Sequence, residues 1–226
     1  MLAKSSVGFF DAPTVATAHQ FQALLDQNGD GHEELLAERY VYYPSSLARW
    51  IILDQALPGG LLQPIWLDVI GDYSEFDPTP ESPYPSCIGV GDLGPPDGRE
   101  DFVFAYGKHA KVYRSSAGGM GNGFLLPFDI VLPGWETGIT RSATTGDFDG
   151  DGLGDFVLLL DGSYWIFRWD SSSQGFLGEY HALSGNDWTQ LERGELSGDG
   201  IDDLVIVGGE RLLVESPLHA GLELLH

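Results

Sequence analysis

A single cysteine, Cys87, and only 11 lysines and arginines are present in 226 residues. One thiol cannot make an internal disulfide, so a disulfide scaffold and a Cys-x-x-Cys zinc site are both excluded. The basic residues face 34 aspartates and glutamates, for a net charge of −23. Nucleic-acid binding needs a basic footprint on the phosphates, and none is present. No apolar run approaches the roughly 18 residues of a membrane-spanning helix. Met1-Leu2-Ala3-Lys4-Ser5-Ser6 lacks the apolar core of a signal peptide, which argues against export by that route.

Signatures of chemistry are also missing. The six histidines, His19, His32, His109, His181, His219 and His226, form no His-Glu-x-x-His pair. No Gly-x-Ser-x-Gly elbow and no phosphate-binding Gly-x4-Gly-Lys-Ser/Thr occurs. Gly118-Gly119-Met120-Gly121-Asn122-Gly123 is glycine-rich, but its spacing suits a link between strands rather than a dinucleotide site. These absences predict a protein without a catalytic centre.

What the chain does have is glycine, proline and acid: 31 glycines, 13 prolines and a repeated acidic loop. The clearest copy is Gly146-Asp147-Phe148-Asp149-Gly150-Asp151-Gly152-Leu153-Gly154-Asp155, followed by Phe156-Val157-Leu158-Leu159-Leu160. Four aspartates at positions 1, 3, 5 and 9 of a tight loop suit a hard cation, because calcium takes about 6–8 oxygen ligands in a flexible cage. Left alone, the carboxylates repel one another; a bound ion turns that repulsion into a clamp.

The pattern recurs. Asp26-Gln27-Asn28-Gly29-Asp30-Gly31-His32-Glu33-Glu34 substitutes Asn28 and Glu34. Glu195-Leu196-Ser197-Gly198-Asp199-Gly200-Ile201-Asp202-Asp203 substitutes Glu195 and Ser197. An imperfect copy, Asp92-Leu93-Gly94-Pro95-Pro96-Asp97-Gly98-Arg99-Glu100-Asp101, has one extra residue and Gly94 at a ligand position. First positions at 26, 92, 147 and 195 give steps of 66, 55 and 48 residues, sizes that suit propeller blades.

Short apolar runs follow each loop: Leu35-Leu36, Phe102 to Phe104, Phe156 to Leu160 and Leu204 to Val207. Second runs are Arg49 to Leu53, Ala110 to Tyr113, Tyr164 to Phe167 and Arg211 to Val214; third runs are Ile65 to Leu67, Phe124 to Val131 and Phe176 to Leu183. Bounded by glycine-rich turns, these read as strands. One strand before each loop and about three after it make a four-stranded blade. An EF-hand needs a Glu at loop position 12, which here is Ala37, Leu158 and Ile206 in the regular loops.

Asp-x-Asp-x-Asp-Gly-x-x-Asp followed by an apolar strand resembles the FG-GAP/VCBS repeat, the calcium-loop blade of integrin alpha subunits and of several bacterial and fungal propeller proteins. The resemblance implies an all-β propeller, with calcium in the loop joining the first two strands of each blade. Four repeats are visible, where family members commonly have seven blades. Residues 1–226 then make one domain with loops at 26–34, 92–101, 147–155 and 195–203. Ser6-Val7-Gly8-Phe9-Phe10 is expected to supply the missing strand of the last blade and close a four-bladed ring, which removes open sheet edges. The alternative is a half-ring that pairs with a second copy.

The expected calcium ligands in the third loop are the side chains of Asp147, Asp149, Asp151 and Asp155 with the Leu153 carbonyl. Equivalents are Asp26, Asn28, Asp30, His32 (by its carbonyl) and Glu34 in the first loop. In the fourth they are Glu195, Ser197, Asp199, Ile201 and Asp203, and in the second Asp92, Asp97, Arg99 and Asp101. The ion's role is structural. Magnesium is less apt, since it keeps its waters and wants strict octahedral geometry.

Four divalent ions would offset eight charges and leave the chain strongly acidic. Solubility, or a basic protein partner, accounts for the surplus. Two binding readings follow: a protein-interaction module, one version of which neutralises a basic toxin, and a lectin using aromatic pockets around Trp50, Trp66, Trp135, Trp165, Trp169 or Trp188. Aromatics also fill the space between blades. Paired carboxylates leave a glycan hydrolase or lyase as a weaker third reading. Calcium loops suit an extracytoplasmic setting. The non-repeating parts, Asp72–Ser86 and Ser115–Gly123, are where a functional surface is expected.

Overall fold

The computed structural model describes residues 17–43, 46–57, 61–72, 86–106, 109–117, 125, 128–132, 140–185, 187–209, 211–216 and 219–225; side chains are described for 23–37, 87–105, 109–117, 125, 128–132, 140–185, 187–209 and 211–216. The segment Ser6–Phe10, the tripeptide around Trp135, Gly118–Gly123, most of Asp72–Ser86 and the side chains of Trp50 and Trp66 lie outside the described residues.

The described strands form four four-stranded sheets, each in simple up-and-down order. The first comprises β1 (Thr17–Leu25), β2 (Glu34–Tyr43), β3 (Ser46–Leu57) and β4 (Leu61–Asp72). The second comprises β5 (Ser86–Gly91), β6 (Asp101–Tyr106), β7 (His109–Tyr113) and β8 (Phe128–Val131). The third comprises β9 (Thr140–Gly146), β10 (Asp155–Leu160), β11 (Ser163–Asp170) and β12 (Gly175–Ala182). The fourth comprises β13 (Trp188–Gly194), β14 (Asp203–Gly208), β15 (Arg211–Ser216) and β16 (His219–Leu225). Every acidic loop joins the first strand of a sheet to the second, as the repeat reading requires. The all-β, propeller-like expectation is met, and no described residue is helical.

Among the described residues the fourth sheet takes four strands from one continuous stretch, ending in β16; the segment expected to supply one of its strands, Ser6–Phe10, lies outside the described residues. The 23 residues after Asp203 suffice because the hairpins are tight. Gly208 pairs with Arg211 and Ser216 with His219, so only two residues turn each corner.

Two compact units divide the chain: Met1–Phe21 with Leu36–Thr79, and Gln22–Leu35 with Pro80–His226. The first holds most of the first sheet. In the second, the third sheet is covered on both faces. Phe156, Leu158 and Leu160 pack with Val103, Ala105 and Val112 of the second sheet. Val157 and Leu159 point the other way and pack with Leu191, Leu204, Ile206 and Leu213 of the fourth. Successive residues of a strand alternate faces, so burial of both faces demands an unbroken apolar run. That is why β10 reads Phe-Val-Leu-Leu-Leu and is buried throughout. A stacked cross-strand pair recurs one residue after the loop: Phe156 on Phe167 at 4.6 Å and Phe102 on Tyr113 at 4.5 Å.

Neighbouring sheets are also joined through backbone. Gly94 and Gly154 exchange two hydrogen bonds of 2.7 and 2.9 Å between the second and third loops. Gly154 permits this approach, because a Cβ there would overlap the Asp92 carbonyl oxygen. Gly154→Ala is therefore expected to open the bridge and destabilise the fold by about 2–4 kcal/mol, a clash against rigid backbone rather than a flexible side chain. Urea unfolding of the two proteins checks this; equal midpoints would show that the contact carries no stability.

Candidate metal centre

Each acidic loop is shaped by its own carboxylates. In the third, Asp147 accepts the Gly150 and Gly152 N–H groups at 2.8 and 2.9 Å, one on each oxygen. Asp149 accepts from Asp151 at 3.2 Å and Asp151 from Leu153 at 2.8 Å. Gly150 and Gly152 have φ of 77° and 80°, a left-handed conformation that side-chain-bearing residues rarely adopt. These turns point the aspartates inward. Oxygens of Asp147, Asp149 and Asp151 all lie within 4.8 Å of one another.

The first loop repeats the scheme. Asp26 accepts from Gly29, Asp30 and Gly31, Asn28 from Asp30, and Asp30 from His32. In the fourth, Glu195 accepts from Gly198 and Asp199 from Ile201. The irregular second loop keeps it too: Asp92 accepts from Asp97 and Gly98, and Asp97 from Arg99. The extra residue and Gly94 thus leave the local hydrogen bonding intact. Among the described residues, a cluster of three acidic oxygens forms only in the third loop; Asn28 and Ser197 supply neutral oxygens in the first and fourth.

The ninth-position acid has a different setting. Asp155 is 1 % exposed. One of its oxygens accepts the Phe148 N–H at 3.2 Å and the other the Trp169 N–H at 3.0 Å. Asp101 does the same with Leu93 at 2.9 Å and Ser115 at 2.6 Å. Glu34 accepts from Gln27 at 2.9 Å, and Asp203 from Leu196 and Ser197. In the second and third loops the acid ties loop position 2 to a residue 14 positions downstream, Ser115 just past β7 and Trp169 in β11, so it anchors the loop to the sheet.

Burial pushes the Asp155 carboxyl up to about 7, with the Asp149 and Asp151 charges adding to the effect and the two N–H donors opposing it. Asp101 is likewise pushed up to about 7 by burial. Asp149 is raised by burial first and by the Asp151 and Asp147 charges, against Arg168, whose Nε lies 3.6 Å from the Asp149 carboxylate. Arg168 also donates to Glu179 at 2.6 Å. This cation beside the loop lies 19 residues from Asp149 on β11, and nothing in the nine-residue repeat signals it.

Hard oxygen donors at these separations fit a calcium ion. Ligands on opposite sides of an ion at 2.3–2.6 Å lie about 4.6–5.2 Å apart. Asp147, Asp149 and Asp151 would hold it; the Asp155 carboxylate, expected as a fourth ligand, is instead engaged by the Phe148 and Trp169 N–H groups. An ion there would supply the positive charge that the crowded carboxylates lack.

Of the three tryptophans with described side chains, Trp169 and Trp188 are buried in packing contacts, while Trp165 is half-buried and edge-on to the exposed Tyr180. Trp169 sits edge-on to Phe128 and Phe176, with the Arg114 guanidinium 4.9 Å from its ring. Trp188 is buried in the cluster between the third and fourth sheets, with Arg211 over its ring at 4.4 Å. Cys87 packs against the cluster between the second and third sheets, and burial keeps its thiol protonated.

Acidic loops of nine or ten residues between the first and second strands of consecutive four-stranded sheets define a propeller-like repeat protein. Residues 147–206 match the family model of the FG-GAP-like repeat. That span opens on the first carboxylate of the third loop and closes in β14, so it covers the best-formed cluster and the neighbouring loop. No curated protein matches the chain.

Asp155→Ala leaves the buried Phe148 and Trp169 N–H groups without acceptors, and should cost about 2–5 kcal/mol. Calorimetric melting checks it; a loss below 1 kcal/mol would show that the anchor is dispensable. A pH dependence follows from the same site. Asp155 and Asp101 hold protons more tightly folded than unfolded, where the ordinary value is 3.8. Their contribution is fully present below pH 4 and is lost as pH rises through 7. In chelator, melting temperature should therefore fall from pH 5 to pH 8, and saturating calcium should flatten the slope. A rise over that window without calcium would contradict the burial of these two acids.

Proposed function

We propose that the chain is a calcium-stabilised, non-enzymatic β-propeller module that binds a protein partner. The observation that carries this is the Asp147, Asp149 and Asp151 cluster inside a span matching the FG-GAP-like repeat. In this reading the four sheets are blades, and the ion fixes each blade's first turn. The third loop is the strongest site. The first and fourth bind with fewer charged donors, and the second most weakly.

A structural role fits the hydrogen bonding. The loop carboxylates are engaged with their own backbone, which suits a rigid cage better than a group that must exchange protons with substrate. The partner is basic. A net charge of −23 exceeds what four ions offset, and the surplus gives long-range attraction to cationic surfaces. Neutralisation of a basic toxin is one form this would take. The glycan reading is less favoured, because Trp169 and Trp188 are buried in packing contacts.

One site held at 100-fold over its dissociation constant stabilises by about 2.7 kcal/mol, or roughly 5–10 °C for a domain of this size. Calcium should raise the melting temperature by at least that much over chelator. Asp149→Ala with Asp151→Ala should remove most of the gain and one calorimetric binding event. An identical melt in calcium and chelator would defeat the reading. Capture of a basic protein in low salt, released at about 0.5 M salt, checks the partner class; capture that ignores salt would point to an apolar or glycan ligand.

A further inference from the structure

The third loop carries one more acid at its turn than its regular neighbours. Its positions 1, 3 and 5 are Asp147, Asp149 and Asp151, whereas Asn28 and Ser197 put neutral oxygens at position 3 of the first and fourth loops. The extra acid is the one that meets a cation. Asp149 turns one carboxylate oxygen to the Asp151 N–H, and the other lies 3.6 Å from Nε of Arg168. With that guanidinium counted, the three positions carry the same net charge in the third loop as in the first and fourth.

Arg168 is placed by the backbone and by a second acid. It precedes Trp169, whose N–H is held by Asp155, so the anchor of the loop also fixes where the arginine side chain starts. Its Nη1 donates at 2.6 Å to the exposed Glu179, a diagonal neighbour on β12. The guanidinium is therefore shared between Asp149 in the loop and Glu179 outside it. The second sheet repeats the placement. Arg114 lies 13 residues after the ninth-position acid, as Arg168 does, with Nε 3.6 Å from the Asp101 carboxylate. Gly94 offers no acid at position 3, and Arg114 donates to the Pro95 carbonyl at 3.2 Å instead. The corresponding residues of the first and fourth sheets are the uncharged Leu47 and Ser216.

An arginine does not lose its proton in a protein, so it cannot yield to an incoming cation by neutralising itself. Beside Asp149 it lessens the repulsion among the carboxylates of the empty loop, and it opposes a divalent ion there. We propose, resting on the calcium reading of this loop, that Arg168 sets the loop's calcium affinity: a tethered counter-ion that stabilises the empty loop and weakens binding, with Glu179 drawing it away from Asp149. Calorimetric calcium titration of the full chain tests it, read on the binding event that Asp149→Ala with Asp151→Ala abolishes. Arg168→Met should tighten that event about tenfold and melt below the parent in chelator. Arg168→Lys keeps the charge and should bind within about threefold of the parent. Glu179→Gln, at an exposed side chain, should weaken the event about threefold. An arginine that only braces the loop would give the opposite sign in Arg168→Met. Weaker or unchanged binding by that variant, an unchanged melt in chelator, or equal tightening by Arg168→Lys would each overturn the proposal and leave the calcium reading standing. If Arg168→Met does not fold, Glu179→Gln decides, and binding as tight as the parent's overturns the proposal. Absence of the event in the parent would overturn the calcium reading and the proposal together.

Discussion

A buried carboxylate at the end of each acidic loop is the constraint on which the structure rests. Asp155 and Asp101 each accept two backbone N–H groups, one from the start of the loop and one from a residue 14 positions on, in β11 or just past β7. One side chain thus closes the loop and fixes it to the following hairpin. The same acid is expensive to ionise, because burial raises it toward neutrality. Crowded acids just above it, at positions 1, 3 and 5, deepen the problem. The calcium ion proposed for these loops would resolve the conflict by supplying charge without protons, and so would tie a local loop motif to sheet geometry.

Between sheets the governing constraint is two-sided burial. The third sheet lies between two others, and β10 therefore has no solvent face. Its odd and even residues enter different clusters, and the stacked Phe156–Phe167 pair repeats in Phe102–Tyr113. Loop-to-loop clips then set the spacing at the rim: the Glu100 carboxylate accepts the N–H of Asp26, and the Asp202 carboxylate that of Asp147. Where an acid is missing from the clip position, a glycine bridge takes over, so Gly154 reflects close backbone approach rather than turn formation.

Much of this was legible in the residues. The loop periodicity located the first turn of every sheet. The apolar runs located the strands, and position 12 excluded helical calcium hands. The irregular second loop read as the weakest copy, yet its hydrogen bonds follow the others, because Asp92 reaches its acceptor geometry despite the added residue. Arg168 beside Asp149, and Arg114 on Trp169, were not legible, since both lie a strand or more from what they touch. The clip acids could have been noticed: Glu100 and Asp202 share one loop position. They read as surplus charge because their partners belong to the neighbouring repeat.

By itself, the sequence determined the class of structure: carboxylate spacing, glycines and alternating apolar runs are local properties, and local chemistry suffices to specify a loop and the strands it joins. Tertiary structure decided what each acid does. Asp147, Asp149 and Asp151 converge, Asp155 becomes an internal anchor, and Asp202 becomes an inter-loop clip, although all are acidic residues of the repeat. Burial and neighbours make that distinction, and neither is a property of residue type. Tertiary structure also decided that the stretch after Asp203 supplies three strands of the fourth sheet, because two tight hairpins make 23 residues enough.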